Sequence, residues 1–157
     1  MRAIAYFLTW TCHGTWLHGD ERGSVDSDNN RLGRARLAPD TGRLNAEQAL
    51  LADAVRTLTR DARRVVDDTI RQHCTIRRWQ IRALNVRTNH VHVVVSCHDD
   101  VSPERVMDQL KAWSTRRLRE AGLAGKDSRV WTEHGSTRWI NSEIGLQEAI
   151  DYVLNGQ

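Results

Sequence analysis

Residues 90–97, His-Val-His-Val-Val-Val-Ser-Cys, constrain the fold more than any other stretch of the chain. Successive side chains on a strand point to opposite faces. Val91, Val93, Val95 and Cys97 therefore share one side, and His90, His92, Val94 and Ser96 share the other. The side built from three valines and a thiol needs an apolar cover, which packing helices supply. Both imidazoles then emerge together on the face those helices leave open. Residues two apart on a strand are separated by about 6.6–6.8 Å, so the two rings can converge on one ion. Neutral imidazole suits Mn²⁺ or Zn²⁺, and serves Mg²⁺ where oxygen ligands and water complete the shell. A closed zinc site is disfavoured, since no close cysteine pair supplies its other half. The same pattern also fits two structural or surface histidines. The shared face opposite an unbroken valine side favours the metal.

The flanking segments suggest what this strand pairs and packs with. Residues 4–12 alternate as a strand, with Ile4, Tyr6, Leu8, Trp10 and Cys12 on one side and Phe7 and Thr9 on the other. From about 14 to 44 the chain is polar and irregular, and Arg22, Arg31, Arg34, Arg36 and Arg43 crowd it. An insertion of this length is either a solvated loop or a phosphate-binding arm. A helix is expected from Asn45, capped by that residue with Gln48 completing the box. Leu50, Leu51, Ala54, Val55, Leu58, Ala62 and Val65 form its stripe. A strand is expected over Thr75–Val86. Its phase slips between Ala83 and Leu84, as a bulge would require.

After the histidine strand, Ser102 and Pro103 open a helix as cap and first-turn proline. Val106, Met107, Leu110, Trp113 and Leu118 form its buried side, with Lys111, Arg116 and Arg119 elsewhere. Extended pieces follow at 130–131 and 136–140, and a last helix begins after Asn141–Ser142. This order predicts a single α+β domain over 1–157. It is a ferredoxin-like antiparallel sheet with two helices on one face and a C-terminal helix free to cover part of the other.

The chain has 157 residues, enough for one domain to close a core. No stretch approaches the roughly 18 apolar residues of a membrane span, and the N-terminus lacks a secretory pattern. Three cysteines with no close pair fit reduced thiols, so a cytoplasmic setting is expected. The net charge is +3, and only Lys111 and Lys126 are lysines among 23 basic residues. Guanidinium forks match phosphate oxygens, so the arginine bias favours a nucleic acid. Trp10, Trp79 and Trp113 fall in apolar registers. Trp16 and Trp139, the latter beside Arg138, are the candidates for stacking on unpaired bases.

The chain has two tyrosines, Tyr6 and Tyr152. Tyr6 belongs to the apolar set of the first strand. Tyr152 lies in the last helix, at the edge of a packing side made by Leu146, Ala149, Ile150, Val153 and Leu154. Phenols are weak nucleophiles at neutral pH, and a divalent ion that polarises a phosphate makes attack feasible. Two imidazoles leave such an ion short of ligands. Asn155 and Gln157 follow the tyrosine, and Glu148 and Asp151 are also within reach of it, whereas Gly156, one turn on, offers no side chain. His13 ends the first strand and is either a neighbour of the site or a strand-end residue. His134 is a candidate substrate contact.

With NHVHVVV, the late Val130–Trp131 and the ending AIDYVLNGQ in view, the chain resembles the single-tyrosine HUH transposases. The likeness is to the IS200-like group, and particularly to the branch associated with repetitive extragenic palindromes (REP). The opening YFLTWTCHGTWLHGDERG is similar to that of a subset of the same superfamily. The resemblance implies a ferredoxin-like fold, with His90 and His92 as the metal-binding pair. It makes Tyr152 a nucleophile that links to a 5′ phosphate and leaves a free 3′ hydroxyl. It further implies single-stranded DNA near hairpins as substrate, Mg²⁺ or Mn²⁺ as cofactor, and a monomer or homodimer. The third ligand in that family is commonly a Gln or Asn one turn after the tyrosine. Gly156 stands there in this chain, so Gln157, with Asn155 as substitute, is the candidate. A non-catalytic nucleic-acid-binding module on the same fold is the main alternative, and a two-histidine phosphoesterase is a third reading.

Overall fold

The computed structural model describes residues 3–14 and 57–156. Within them the elements run β1 (Ala5–Thr11), α1 (Arg60–Arg77), β2 (Gln80–Val86), β3 (His90–Ser96), α2 (Pro103–Glu120), β4 (Ser136–Ile140) and α3 (Glu143–Asn155). The strands form one antiparallel sheet in the order β2-β3-β1-β4, the ferredoxin-like arrangement expected from the sequence. Trp16, Arg31, Arg34, Arg36, the predicted helix start at Asn45 and Gln157 lie outside the described residues.

The alternation of β1 and β3 divides the core in two. Tyr6, Leu8, Trp10, Val91, Val93 and Val95 face α1 and α2 and join Val66, Ile70, Val106, Leu110 and Leu118 in the larger cluster. The Tyr6 hydroxyl donates to the Val101 carbonyl at 2.7 Å, which fixes this tyrosine as a core residue. On the other face Ala5, Phe7, Ala83, Val94 and Ile140 meet Leu146, Ala149 and Val153 of α3 in a smaller cluster. The slip in β2 is a bulge between Ile81 and Ala83. Ile81, Leu84 and Val86 pack with the larger cluster, while Ala83 packs with the smaller one.

Local chemistry sets the helix ends. Ser102 caps α2 by accepting from the Arg105 N–H, and Ser142 caps α3 by accepting from the Gly145 N–H. Helix α1 differs from expectation. Thr59 caps it, Leu58 is buried just ahead of it, and it runs through Thr75–Arg77, which the sequence reading gave to a strand. Ala62, Val66, Ile70 and Cys74 recur every four residues and bury one stripe. The exposed β-branched Thr75 and Ile76 merely sit in its last turn, before Arg78 ends it in the left-handed region.

Three further side chains depart from expectation. Trp113 is half-buried, with Arg116 over its ring at 5.0 Å and His73 stacked at 6.0 Å. Leu154 is exposed. Lys111 is buried in α2 and donates to the carbonyls of Thr132 at 2.7 Å and Glu133 at 3.1 Å. Desolvation lowers its pKa below the ordinary lysine value.

Candidate active site

On the face away from α1 and α2, the register sets polar residues in rows across the strands. Asn85, His92, Thr9 and Ser136 make one row, one residue from each strand. The next row toward the chain turns holds Thr11 opposite His90. The Arg87 N–H, just past β2, donates to the His90 carbonyl at 2.8 Å. On the other side of the His92 row lie Ala83, Val94, Phe7 and Arg138, the floor on which α3 packs.

The two imidazoles are neighbours, with ring centroids 4.6 Å apart and planes at 78°. His92 is only 7% exposed, and its Nδ1 is hydrogen-bonded to the Thr9 hydroxyl at 2.9 Å. His90 Nδ1 pairs with Asn89 Oδ1 at 2.8 Å. Because a carbonyl-type oxygen accepts, His90 Nδ1 is the donor, and the ring's lone pair then lies on Nε2. Tying one ring nitrogen to an oxygen partner fixes orientation and tautomer, which is how metal-ligating histidines are commonly held.

Helix α3 brings Tyr152 to this pair. Leu146, Ala149 and Val153 turn into the sheet, and Tyr152, at the edge of that packing side, remains 49% exposed. Its ring lies 5.7 Å from that of His92 and 6.0 Å from that of Phe7, with edge-on and tilted geometry respectively. The sequence therefore named the three residues that the fold brings together. As a metal site the cluster fits in donor type, and Thr9 and Asn89 hold the two rings, but it is short of ligands. Among the described residues no group of three His, Cys, Asp or Glu could hold an ion. Asn155, the last residue of α3, is exposed at the helix end.

Other expected contributors are placed less uniformly. His13 follows β1, and its N–H donates to the Val130 carbonyl at 2.8 Å. Arg138 lies on the histidine face, with its guanidinium 6.0 Å from the Phe7 ring centroid. Trp139 is 55% exposed but belongs to the opposite face, where it meets Tyr6 edge-on at 5.3 Å. Strand alternation separates the two neighbours. Thr9 and Asn85 were missed as site residues. The phase of Thr9 in β1 already put it on the histidine side, whereas the bulge hid the phase of Asn85.

The family model described as "Transposase IS200 like" matches residues 53–148. The chain belongs to the IS200-like transposase family. Membership gives it a transposase-like function and places it among DNA-processing proteins. Among curated proteins none matches. One similar solved structure is a REP-associated tyrosine transposase bound to a REP hairpin. It has a TM-score of 0.51 and 14% identity, over 98% of this chain and 66% of that one. Another is a candidate transposase from Deinococcus radiodurans, with a TM-score of 0.48 and 17% identity, over 99% of this chain and 92% of that one. At such identities the first likeness is one of fold. No helix among the described residues is long and apolar enough to cross a membrane.

Proposed function

We propose that this IS200-like transposase is a metal-dependent enzyme that nicks and rejoins single-stranded DNA through Tyr152. The observation that carries the reading is the placement of the Tyr152 ring against His92, itself paired with His90 on the sheet face that carries α3. In the step envisaged, Tyr152 Oη forms a bond to the scissile phosphorus and loses its proton. The P–O3′ bond breaks, its electron pair stays on O3′, and a proton converts that oxygen to a free 3′ hydroxyl. The 5′ phosphate remains on the tyrosine as an ester, so the reverse attack by a 3′ hydroxyl rejoins the strand.

His90 and His92 would hold the divalent ion, Mg²⁺ or Mn²⁺, with Asn155 or Gln157 adding an oxygen. When bound, the ion supplies charge stabilisation at the phosphate. Thr9 and Asn89 keep the two rings oriented, and Phe7 backs the tyrosine ring. The hairpin held by the REP-associated relative makes a single-stranded hairpin the natural substrate to try. A cytoplasmic, reducing setting agrees with Cys12, Cys74 and Cys97, free thiols that burial pushes up to about 12.

Incubation with labelled hairpin DNA and Mn²⁺ tests the reading. A denaturation-resistant protein–DNA adduct is expected in the wild type. It should vanish in Tyr152→Phe and with chelator, and fall strongly in His92→Ala. Hairpin binding with no adduct under any condition would leave a non-catalytic binding module instead. Cleavage that survives Tyr152→Phe would point to hydrolysis.

A further inference from the structure

The side-chain amide of Asn85 donates to the main-chain carbonyl of Val153 at 2.9 Å. Each end of this bond belongs to the site. Asn85 is the β2 partner of His92 in the sheet register, one strand spacing of about 4.8 Å away. Val153 directly follows Tyr152 and lies in the last turn of α3, which ends at Asn155.

The last four carbonyls of a helix have no partner within it, and those of α3 belong to residues 152–155. Tyr152 O is satisfied by the Gly156 N–H at 3.0 Å. Val153 O is satisfied from the sheet, by Asn85. The helix end is thus fastened to the strand row that carries His92.

Packing alone does not call for an amide here. Asparagine is a poor strand residue, and Ala83, two positions earlier beneath the same helix, packs with no polar group at all. A half-buried amide costs desolvation that only a well-placed acceptor offsets. The floor under α3 is largely small or smooth, being made of Ala5, Ala83, Val94 and Ile140 around Phe7. Such a floor buries the helix without defining its height along the sheet. A directional bond at the last turn does define it. A slide of one turn, about 5.4 Å, would carry the tyrosine past the histidine row.

From this the geometry points to Asn85 as a latch: a positioning residue that holds the last turn of α3, and with it Tyr152, in register with His92. The inference rests on Tyr152 being the nucleophile for its consequence in catalysis, but not for the latch itself.

The test compares the full-length wild type with Asn85→Ala and with Asn85→Asp, which keeps the shape and removes the donor. Loss of one hydrogen bond of about 1 kcal/mol should speed amide exchange in the last turns of α3 by about 5-fold in both variants, with α1 unchanged as the internal control. The rate of adduct formation should fall by about 10–100-fold, because small misplacements of a reacting group are costly. In Asn85→Ala, which adds no charge beside His92, hairpin and Mn²⁺ affinities should stay at wild-type values. Unaltered exchange in α3 in both variants overturns the latch, whatever the activity. Faster exchange with an unaltered adduct rate overturns its positioning role, and so does a parallel loss of hairpin or metal affinity in Asn85→Ala. If the wild type forms no adduct, the nuclease reading fails by itself. The latch is then decided by exchange and by whether the Tyr152–His92 ring contact seen by NMR is lost in both variants.

Discussion

Thr9 shows how much a single hydroxyl can carry at this site. It is 9% exposed, and its Oγ1 holds His92 Nδ1 at 2.9 Å across the β1–β3 pair. Valine has the same shape and a better strand propensity, so Thr9→Val should preserve the sheet while removing the hydroxyl that holds Nδ1. If His92 is a ligand, the substitution should lower Mn²⁺ affinity about 10-fold or more, and Thr9→Ser should retain most of it. Calorimetric titration reads this directly, and equal affinities in Thr9→Val and wild type would remove the hydroxyl from the account. Gly156 matters for the opposite reason. A Cβ there would lie 3.1 Å from the Cα, the carbonyl oxygen and Cδ1 of Tyr152. Two of those contacts are backbone and cannot swing aside, so Gly156→Ala should displace the helix end and slow adduct formation about 10-fold. Unaltered adduct kinetics in that variant would mean the end of α3 yields without moving the tyrosine. The sequence revealed only that position 156 lacks a ligand. That its bareness makes room for the tyrosine is a backbone property, visible once the helix terminus is placed.

At the scale of elements, the two core clusters differ in extent, and α3 is buried against the smaller one. Truncating Leu146 should therefore loosen α3 selectively. Leu146→Ala, at a cost of about 2–5 kcal/mol locally, should accelerate amide exchange through α3 and leave α1 and β3 protected. Leu110→Ala, in the larger cluster, should accelerate exchange in every element. Uniform acceleration in both variants would show that α3 and the main core open as one unit. Much of this division was legible beforehand. The period-two valines fixed the helix-covered face, and Ser102–Pro103 and Ser142 marked helix starts through their own cap chemistry. Helix α1 was misread where local and tertiary signals conflict. Thr75 and Ile76 carry strand propensity, yet Cys74 completes a four-residue buried period that keeps the turn helical. Lys111 was placed outside by its charge, and only the carbonyls of Thr132 and Glu133, brought over it by the segment before β4, explain its burial.

Over the whole molecule, a net charge of +3 is too small to make a uniformly attractive surface, so in the proposed reaction the DNA would be guided by where the arginines stand. On the histidine face, exposed Arg87 lies just past β2 beside His90, and exposed Arg138 lies on β4. These strands are the two edges of the sheet, so the pair flanks the histidine–tyrosine cluster from opposite sides. A single strand drawn across this face to present a phosphate to Tyr152 would pass both guanidiniums. Arg31, Arg34 and Arg36 belong to the segment outside the described residues, which is either a solvated loop or a phosphate-binding arm, and the salt dependence of binding separates the two. Each phosphate neutralised on single-stranded DNA contributes about 0.7 to the slope of log affinity against log salt. Removing Arg87 and Arg138 together should reduce the slope by about 1.4, and removing the three arm residues should reduce it by about 2. If the arm and the face grip one strand independently, the five-residue variant should show the sum of the two reductions. A slope unaltered by the triple substitution would reject the arm, and one unaltered by the double substitution would mean the DNA does not cross the histidine face.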